Sequence, residues 1–181
     1  PLFRINGRST LDRCIENLSF HGINNYIFLL HFKSQIFLKE AFNLERKYNV
    51  KIISHNELSP KGEAGSLREV LRKLEDTFLF INGDIIFDID FNRFINFHFN
   101  MSADITLATH LTNHPEDSDC IIESPSLTIF DYKYKKDALS NKYFYLGNAG
   151  IAIVNKDIIA NTDIPDSKNI SFFKDFAIKN H

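Results

Sequence analysis

The tripeptide Asn82-Gly83-Asp84 follows directly on an apolar run, Thr77-Phe78-Leu79-Phe80-Ile81. A carboxylate just past the carboxyl end of a buried strand stands where open α/β sheets bind ligands. Together with Mg²⁺ it holds phosphate oxygens, because Mg²⁺ takes one or two carboxylates and completes its shell with substrate oxygen and water. That makes Asp84 a candidate metal ligand. The competing reading is a tight Asn-Gly turn followed by a solvated aspartate.

A second stretch, His55-Asn56-Glu57-Leu58-Ser59-Pro60-Lys61-Gly62-Glu63-Ala64-Gly65, links a strand end to an expected helix start. Small residues there let a ligand approach backbone N–H groups, and Glu57 could accept hydrogen bonds from a nucleobase. The competing reading is an ordinary connecting loop. A third, Gly147-Asn148-Ala149-Gly150, is expected as a turn opening a strand over 150–154. Its glycines permit close approach, and the Asn148 amide suits a sugar hydroxyl. The loop His114-Pro115-Glu116-Asp117-Ser118-Asp119 holds three acids and a histidine, read as a metal site or as solvated charge. In Asp88-Ile89-Asp90, Asp90 reads as the N-cap of a helix beginning at Phe91. No H-E-x-x-H, paired C-x-x-C or G-x-S-x-G is present, so zinc and serine hydrolase chemistry has no support.

Elements must position these groups. Helices are expected over 9–21 (Ser9 or Thr10 as cap, Gly22 as stop), 33–48, 63–75 and 170–178. Continuous apolar strands are expected over 26–30, 50–54 and 77–81. Strands buried on both faces and separated by helices indicate an α/β, doubly wound, parallel pattern. Beyond residue 100, short strands over 104–110, 120–123, 127–131 and 150–154 suggest a mixed or antiparallel extension of the sheet. With 181 residues, 44% apolar and 24% charged, the chain is a globular domain of ordinary make-up, not a disordered or disulfide-scaffold chain. A net charge of −2 and a pI near 6.4 argue against a nucleic-acid or anionic membrane partner. No apolar run approaches the ~18 residues of a membrane span. Cys14 and Cys120 are read as small core residues in a reduced, cytoplasmic setting. The start, Pro1-Leu2-Phe3-Arg4, has no signal-peptide apolar region. A chain that opens on proline, carries its single methionine at Met101 and stops at His181 is expected to be a piece of something longer.

In their order, Pro1-Leu2-Phe3-Arg4-Ile5-Asn6-Gly7-Arg8, the loop Glu57-x-x-Pro60-x-Gly62-x-Ala64-Gly65, Asn82-Gly83-Asp84 and Asn148-Ala149-Gly150 together resemble the sugar-nucleotidyltransferase family. Those enzymes join a nucleoside triphosphate to a sugar 1-phosphate and release pyrophosphate. The stretch His110–Asp119 resembles the heptose 1-phosphate branch, some of whose members are fused to a haloacid dehalogenase-type phosphatase. The resemblance implies a Rossmann-like three-layer αβα sandwich with a mostly parallel central sheet, incomplete at both ends, in a single domain over 1–181. It also implies a catalytic Mg²⁺ on Asp84. Glu57, Pro60, Gly62 and Gly83 would meet the nucleotide. Asn148 and Gly150 would hold the sugar, with Ser118 and Asp119 nearby, and Lys133 or Lys135 would meet the sugar phosphate.

Departures from the family pattern are visible. The family's Gly-rich triphosphate loop would precede Pro1, and its second metal carboxylate would follow His181. Glu63 replaces a threonine in the base loop, Lys61 stands where leucine is common, and Tyr132 replaces a glutamate before Lys133. Two rivals therefore stand beside nucleotidyl transfer in polysaccharide-precursor supply. One is a non-catalytic binding or regulatory domain. The other is a glycosyltransferase of related fold with Asp88-Ile89-Asp90 as its metal motif.

Overall fold

The computed structural model describes residues 1–115, 119–133, 146–163 and 169–178. A short hairpin, β1 (Arg4–Ile5) and β2 (Arg8–Ser9), turns at Asn6 and Gly7, both at positive φ as a tight hairpin requires. Helix α1 (Thr10–Phe20) starts where Ser9 Oγ accepts from the Asp12 N–H at 3.1 Å. It buries Leu11, Cys14, Ile15 and Leu18 and ends at His21, with Gly22 at φ +79°. Next come β3 (Asn25–Leu30), α2 (Ser34–Tyr48) and β4 (Lys51–Asn56). The strands pair in parallel from Asn25↔Lys51 to Leu30↔Asn56, so α2 is the crossover that parallel strands need.

The expected helix over 63–75 forms as two single 3₁₀ turns, Gly65–Leu67 and Leu71–Lys73. Leu67 and Val70 are both buried at i, i+3 spacing, which a 3₁₀ turn places one above the other. Glycines at 62 and 65 add little helix propensity to hold a longer α-helix. Strand β5 (Thr77–Ile81) lies as expected, and Asp90 Oδ1 caps α3 (Phe91–Asn100) by accepting from the Arg93 N–H at 3.0 Å. The chain continues through β6 (Ile105–Leu111), β7 (Cys120–Glu123), β8 (Ile129–Lys133), β9 (Leu146–Asn155), α4 (Lys156–Asn161) and a π-helical turn, Phe173–Ala177.

Strand β9 organises the larger sheet. Its one edge pairs with β6; its other edge pairs first with β7, through Gly147, and then with β5, from Ile151. All three pairings are antiparallel, as are β7–β8 and β1–β2. The architecture is α/β, but among the described residues the parallel pairing is confined to β3–β4. The expectation of a mostly parallel sheet came from continuous apolar runs. Such runs report burial on both faces and carry no information on strand direction.

The core falls into three clusters. One joins Ala152 and Val154 of β9 to Phe172, Phe173 and Phe176, one joins α1 to α2, and one joins α1 to α3 and Ile151. Between β3 and β5 runs a largely apolar cavity of about 860 Å³, lined along both strands by residues such as Tyr26, Phe28, Leu79 and Ile81. Cys14 and Cys120 are buried and unbridged, as expected of core residues, and burial pushes the Cys14 thiol up to about 12. No helix among the described residues is long and apolar enough to cross a membrane.

Candidate functional site

Strand β5 delivers Asn82-Gly83-Asp84 against the middle of β9. The Asn82 N–H donates to Gly150 O at 2.9 Å. On the β6 edge, register passes from Leu107↔Ala152 to Thr109↔Asn148, so β9 carries extra residues at this point. Asn148-Ala149-Gly150 is therefore a bulge inside one long strand, not a turn before a shorter one. It falls where β9 changes partner from β7 to β5. Bulges of this kind re-aim the chain next to sites. Gly150 sits at φ +71°, and a Cβ there would lie 2.8 Å from Asn82 Nδ2. The position requires glycine twice over, by conformation and by contact. The Asn148 N–H donates to Asp119 O at 3.0 Å, and Asn148 Oδ1 accepts from the Gly150 N–H at 3.1 Å. Asp84 projects just beyond as an exposed carboxylate, and a Cβ on Gly83 would meet the Pro1 ring at 3.3 Å.

Lys133 on β8 lies opposite Cys120, and Cys120 lies opposite Gly147. At a strand spacing of ~4.8 Å, Lys133 is ~10 Å across the sheet from Gly147, the residue before the bulge. Asp131 holds its ammonium at 3.7 Å. Tyr132 turns to the core, edge-on to Phe173 at 6.4 Å between ring centres. Tyr132, expected from sequence to stand in place of a glutamate, is thus used for packing. Ser118 and Lys135 lie outside the described residues, as do Glu116 and Asp117.

The second half of the site is the loop after β4. The Glu57 N–H donates to Leu30 O at 2.7 Å, and Glu57 O accepts from His31 Nδ1 at 3.2 Å, which ties the loop to the end of β3. Ser66, fully buried, donates its hydroxyl to Glu57 Oε1. Lys61 and His55 both pair with Glu69, and Lys61 first, then His55, hold the Glu69 carboxyl below its usual range. Pro60 is exposed. Gly62, at φ +84°, backs onto Ile170, whose N–H donates to Lys61 O at 2.8 Å and whose carbonyl accepts from the Ala64 N–H at 3.1 Å. The expectation that this loop offers free N–H groups at a helix start is therefore corrected at Ala64. Its donor is taken, and no α-helix follows. Glu63 is also engaged: its Oε1 accepts from the Phe172 N–H at 2.8 Å and from Ser171 Oγ at 3.1 Å.

The structure thus brings Gly83, Asp84, Asn148, Gly150 and Asp119 into one cluster, and Glu57, Pro60 and Gly62 into one loop. Both border the same cavity, through Pro1, Asn82 and Gly83 on one side and His31 and Glu63 on the other. His31, Ser66 and Ile170 complete these arrangements but carry no local motif. Pairing and burial alone identify them. Among the described residues no cluster of three or more His, Cys, Asp or Glu could cage a metal ion. A lone exposed carboxylate suits an ion held mainly by substrate phosphates, as Mg²⁺ is, and does not suit an all-protein site.

Known proteins resemble the chain in sequence and in fold. A family model described as nucleotidyl transferase matches residues 1–119. Mannose-1-phosphate guanyltransferase of Yarrowia lipolytica is 24% identical over 169 residues, covering 91% of this chain and 46% of that protein. The Saccharomyces cerevisiae protein of the same name is 24% identical over 181 residues, covering 97% and 48%. The chain thus spans about half the length of these curated relatives. Among solved structures, HddC from Yersinia pseudotuberculosis superposes with a TM-score of 0.81 at 23% identity, over 99% of this chain and 76% of that one. A putative glucose-1-phosphate thymidylyltransferase from Bacillus anthracis gives 0.83 at 13% identity, over 99% and 72%.

Proposed function

The chain belongs to the nucleotidyl transferase family, and from that premise we propose that the whole protein transfers a nucleotidyl group from a nucleoside triphosphate to a sugar 1-phosphate. The observation that carries the proposal is the hydrogen-bonded apposition of Asn82-Gly83-Asp84 with the Asn148–Gly150 bulge. It sets a carboxylate beside an amide and two glycines at the mouth of a cavity. A phosphate oxygen of the sugar 1-phosphate attacks the α-phosphorus, the bond to the β-phosphate oxygen breaks, and pyrophosphate leaves. Catalysis then rests on positioning and on charge stabilisation. Mg²⁺ bound by Asp84 and the substrate phosphates would supply Lewis-acid stabilisation of the phosphoryl oxygens. Asn148 orients the sugar through its amide, and Lys133 meets the sugar phosphate, steered by Asp131.

Guanine is the favoured base. Its N1–H and N2–H₂ are neighbouring donors, and a carboxylate is an acceptor for both. Ser66 already fixes one Glu57 oxygen, which leaves a preset acceptor edge. The curated relatives named above are guanyltransferases, and an HddC structure carries GMP-PN. The cavity lies between β3 and β5, and β3 and β5 each have an edge without a strand partner among the described residues. A strand preceding Pro1, followed by a phosphate loop reaching Gly83, completes the site in this reading. It would also restore a mostly parallel centre to the sheet. A cytoplasmic setting follows from the same reading, since both substrates are cytoplasmic metabolites.

The test is pyrophosphate release by the full-length protein with GTP, Mg²⁺ and either mannose 1-phosphate or a heptose 1-phosphate. Turnover is expected, and Asp84→Asn is expected to lower kcat at least ~10³-fold. Retained turnover of Asp84→Asn at saturating metal would remove Asp84 from that role.

A further inference from the structure

We infer that Glu63 is a positioning residue that locks the nucleobase loop to the segment 169–178, and through it to the strand that delivers Asp84. The inference rests on the nucleotidyl transfer reading for the loop's role. Three contacts carry it. Glu63 Oε1 accepts from the Phe172 N–H and from Ser171 Oγ. Ile170 exchanges two backbone hydrogen bonds with Lys61 and Ala64, directly under the positive-φ Gly62. The Phe172 ring stacks on Phe80 at 4.5 Å, with an interplanar angle of 23°.

Phe80 stands two residues before Asn82 on β5. One short segment therefore touches both halves of the site. It grips the base loop through main chain and a carboxylate, and it grips the metal-side strand through a buried ring. Phe173 and Phe176 anchor that segment in the largest core cluster, so it is a fixed reference for both halves. A carboxylate accepting a backbone N–H is a charge-assisted bond, stronger and more directional than a neutral one. In this arrangement the carboxylate that replaces the family's threonine at 63 is engaged by the Phe172 N–H and the Ser171 hydroxyl.

A role confined to stability would lower the folded population without changing substrate affinities. A positioning role changes nucleotide affinity selectively. In the full-length protein, Glu63→Ala is expected to raise KM for GTP five- to tenfold, with kcat and KM for the sugar 1-phosphate within twofold of wild type. Glu63→Gln keeps an acceptor oxygen of the same reach and is expected to restore KM for GTP to within twofold. Amide hydrogen exchange gives a readout independent of turnover. In Glu63→Ala, protection is expected to fall in peptides covering 61–67 and 169–178, and not in Glu63→Gln. An unchanged exchange pattern in Glu63→Ala overturns the inference, as does an unchanged KM for GTP in an active enzyme. Absence of wild-type turnover with every nucleotide and sugar phosphate tried would defeat the functional reading instead. The exchange pattern would then decide alone whether Glu63 locks the loop.

Discussion

Around Asp84 the chain is fixed by strand pairing, and around Glu57 it is fixed by a few loop main-chain bonds together with half-buried and exposed carboxylates. In the first region Asn82 N–H to Gly150 O, Asn148 N–H to Asp119 O and the β5–β9 ladder set the geometry, and a positive-φ glycine fills the tightest contact. In the second, Glu57 is held by Ser66, Glu63 by Ser171 and the Phe172 amide, and Glu69 by Lys61 and His55. A region held by main chain tolerates most side-chain changes but not an added Cβ where chains meet. The division suits the proposed chemistry, in which metal and sugar geometry are common to all substrates and the base is the variable part.

The sharpest test of the first region is Gly150→Ala. The methyl would sit 2.8 Å from Asn82 Nδ2 on a backbone at φ +71°. Strain of this kind costs ~1–3 kcal/mol, and relief by moving Asn82 displaces the turn that carries Asp84. The expected result in the full-length protein is a fall in kcat of about 10²-fold with KM for GTP nearly unchanged. Adding Asn82→Ala makes room for the methyl but leaves the unfavourable φ, so recovery should be partial. A KM effect as large as the kcat effect would break the division between the two regions.

Glu57→Gln addresses the second region and should act the other way. Glutamine keeps the length of the side chain but replaces one acceptor oxygen with a donor. Discrimination between bases that rests on matched hydrogen bonds falls when one site group is mispaired. Steady-state kinetics with GTP and ATP should show kcat/KM for GTP down about tenfold and the GTP preference narrowed. The fold should be unaffected. An unaltered preference would remove Glu57 from base recognition.

How much of this was legible in the residues depends on the range of the interaction. Ser9 and Asp90 as caps, β5 at 77–81 and the burial of both cysteines are local consequences of residue type, and each stands where the sequence places it. Family resemblance pointed to the Asn-Gly-Asp and Asn-Ala-Gly segments, and the fold brings them together. Three features were not legible. The direction of β5 against its neighbour was not, because a doubly buried strand looks the same either way, whereas the antiparallel extension expected beyond residue 100 is present in β6, β7, β8 and β9. The helix expected over 63–75 was not corrected by its own pattern, since Leu67 and Val70 fit an α-helical or a 3₁₀ spacing equally. The bulge at 148–150 was read as a turn because glycine signals both. The pairing of Gly150 with Asn82, nearly seventy residues earlier in sequence, is what distinguishes them.

A third cluster supplies the control for the comparison. Asp12 on α1 accepts from Arg8 Nε at 3.0 Å, from Lys47 Nζ at 2.9 Å and from the Tyr48 hydroxyl at 2.5 Å. It joins α1 to α2 and has no contact with Asp84, Asn148, Gly150 or the loop 57–66 in these interactions. Burial alone would raise the Asp12 carboxyl, but Arg8, Lys47 and Tyr48 together outweigh it and hold it at about 2, below an ordinary 3.8. A carboxyl lowered on folding stabilises the native state fully above its unfolded value and loses that contribution as pH falls through the folded one. The network's contribution should therefore be constant down to about pH 4 and disappear as the pH approaches 2. Asp12→Asn leaves Lys47 without its charged acceptor and Arg8 with Glu16 alone, and solvent reaching both cations limits the loss to about 1–2 kcal/mol at pH 7. Thermal unfolding should show a fall of a few degrees in Tm at pH 7, narrowing below pH 4. KM for GTP and kcat at 25 °C should not move. If they do, the site is coupled to the α1–α2 pair as a whole, and its two regions are not separately held.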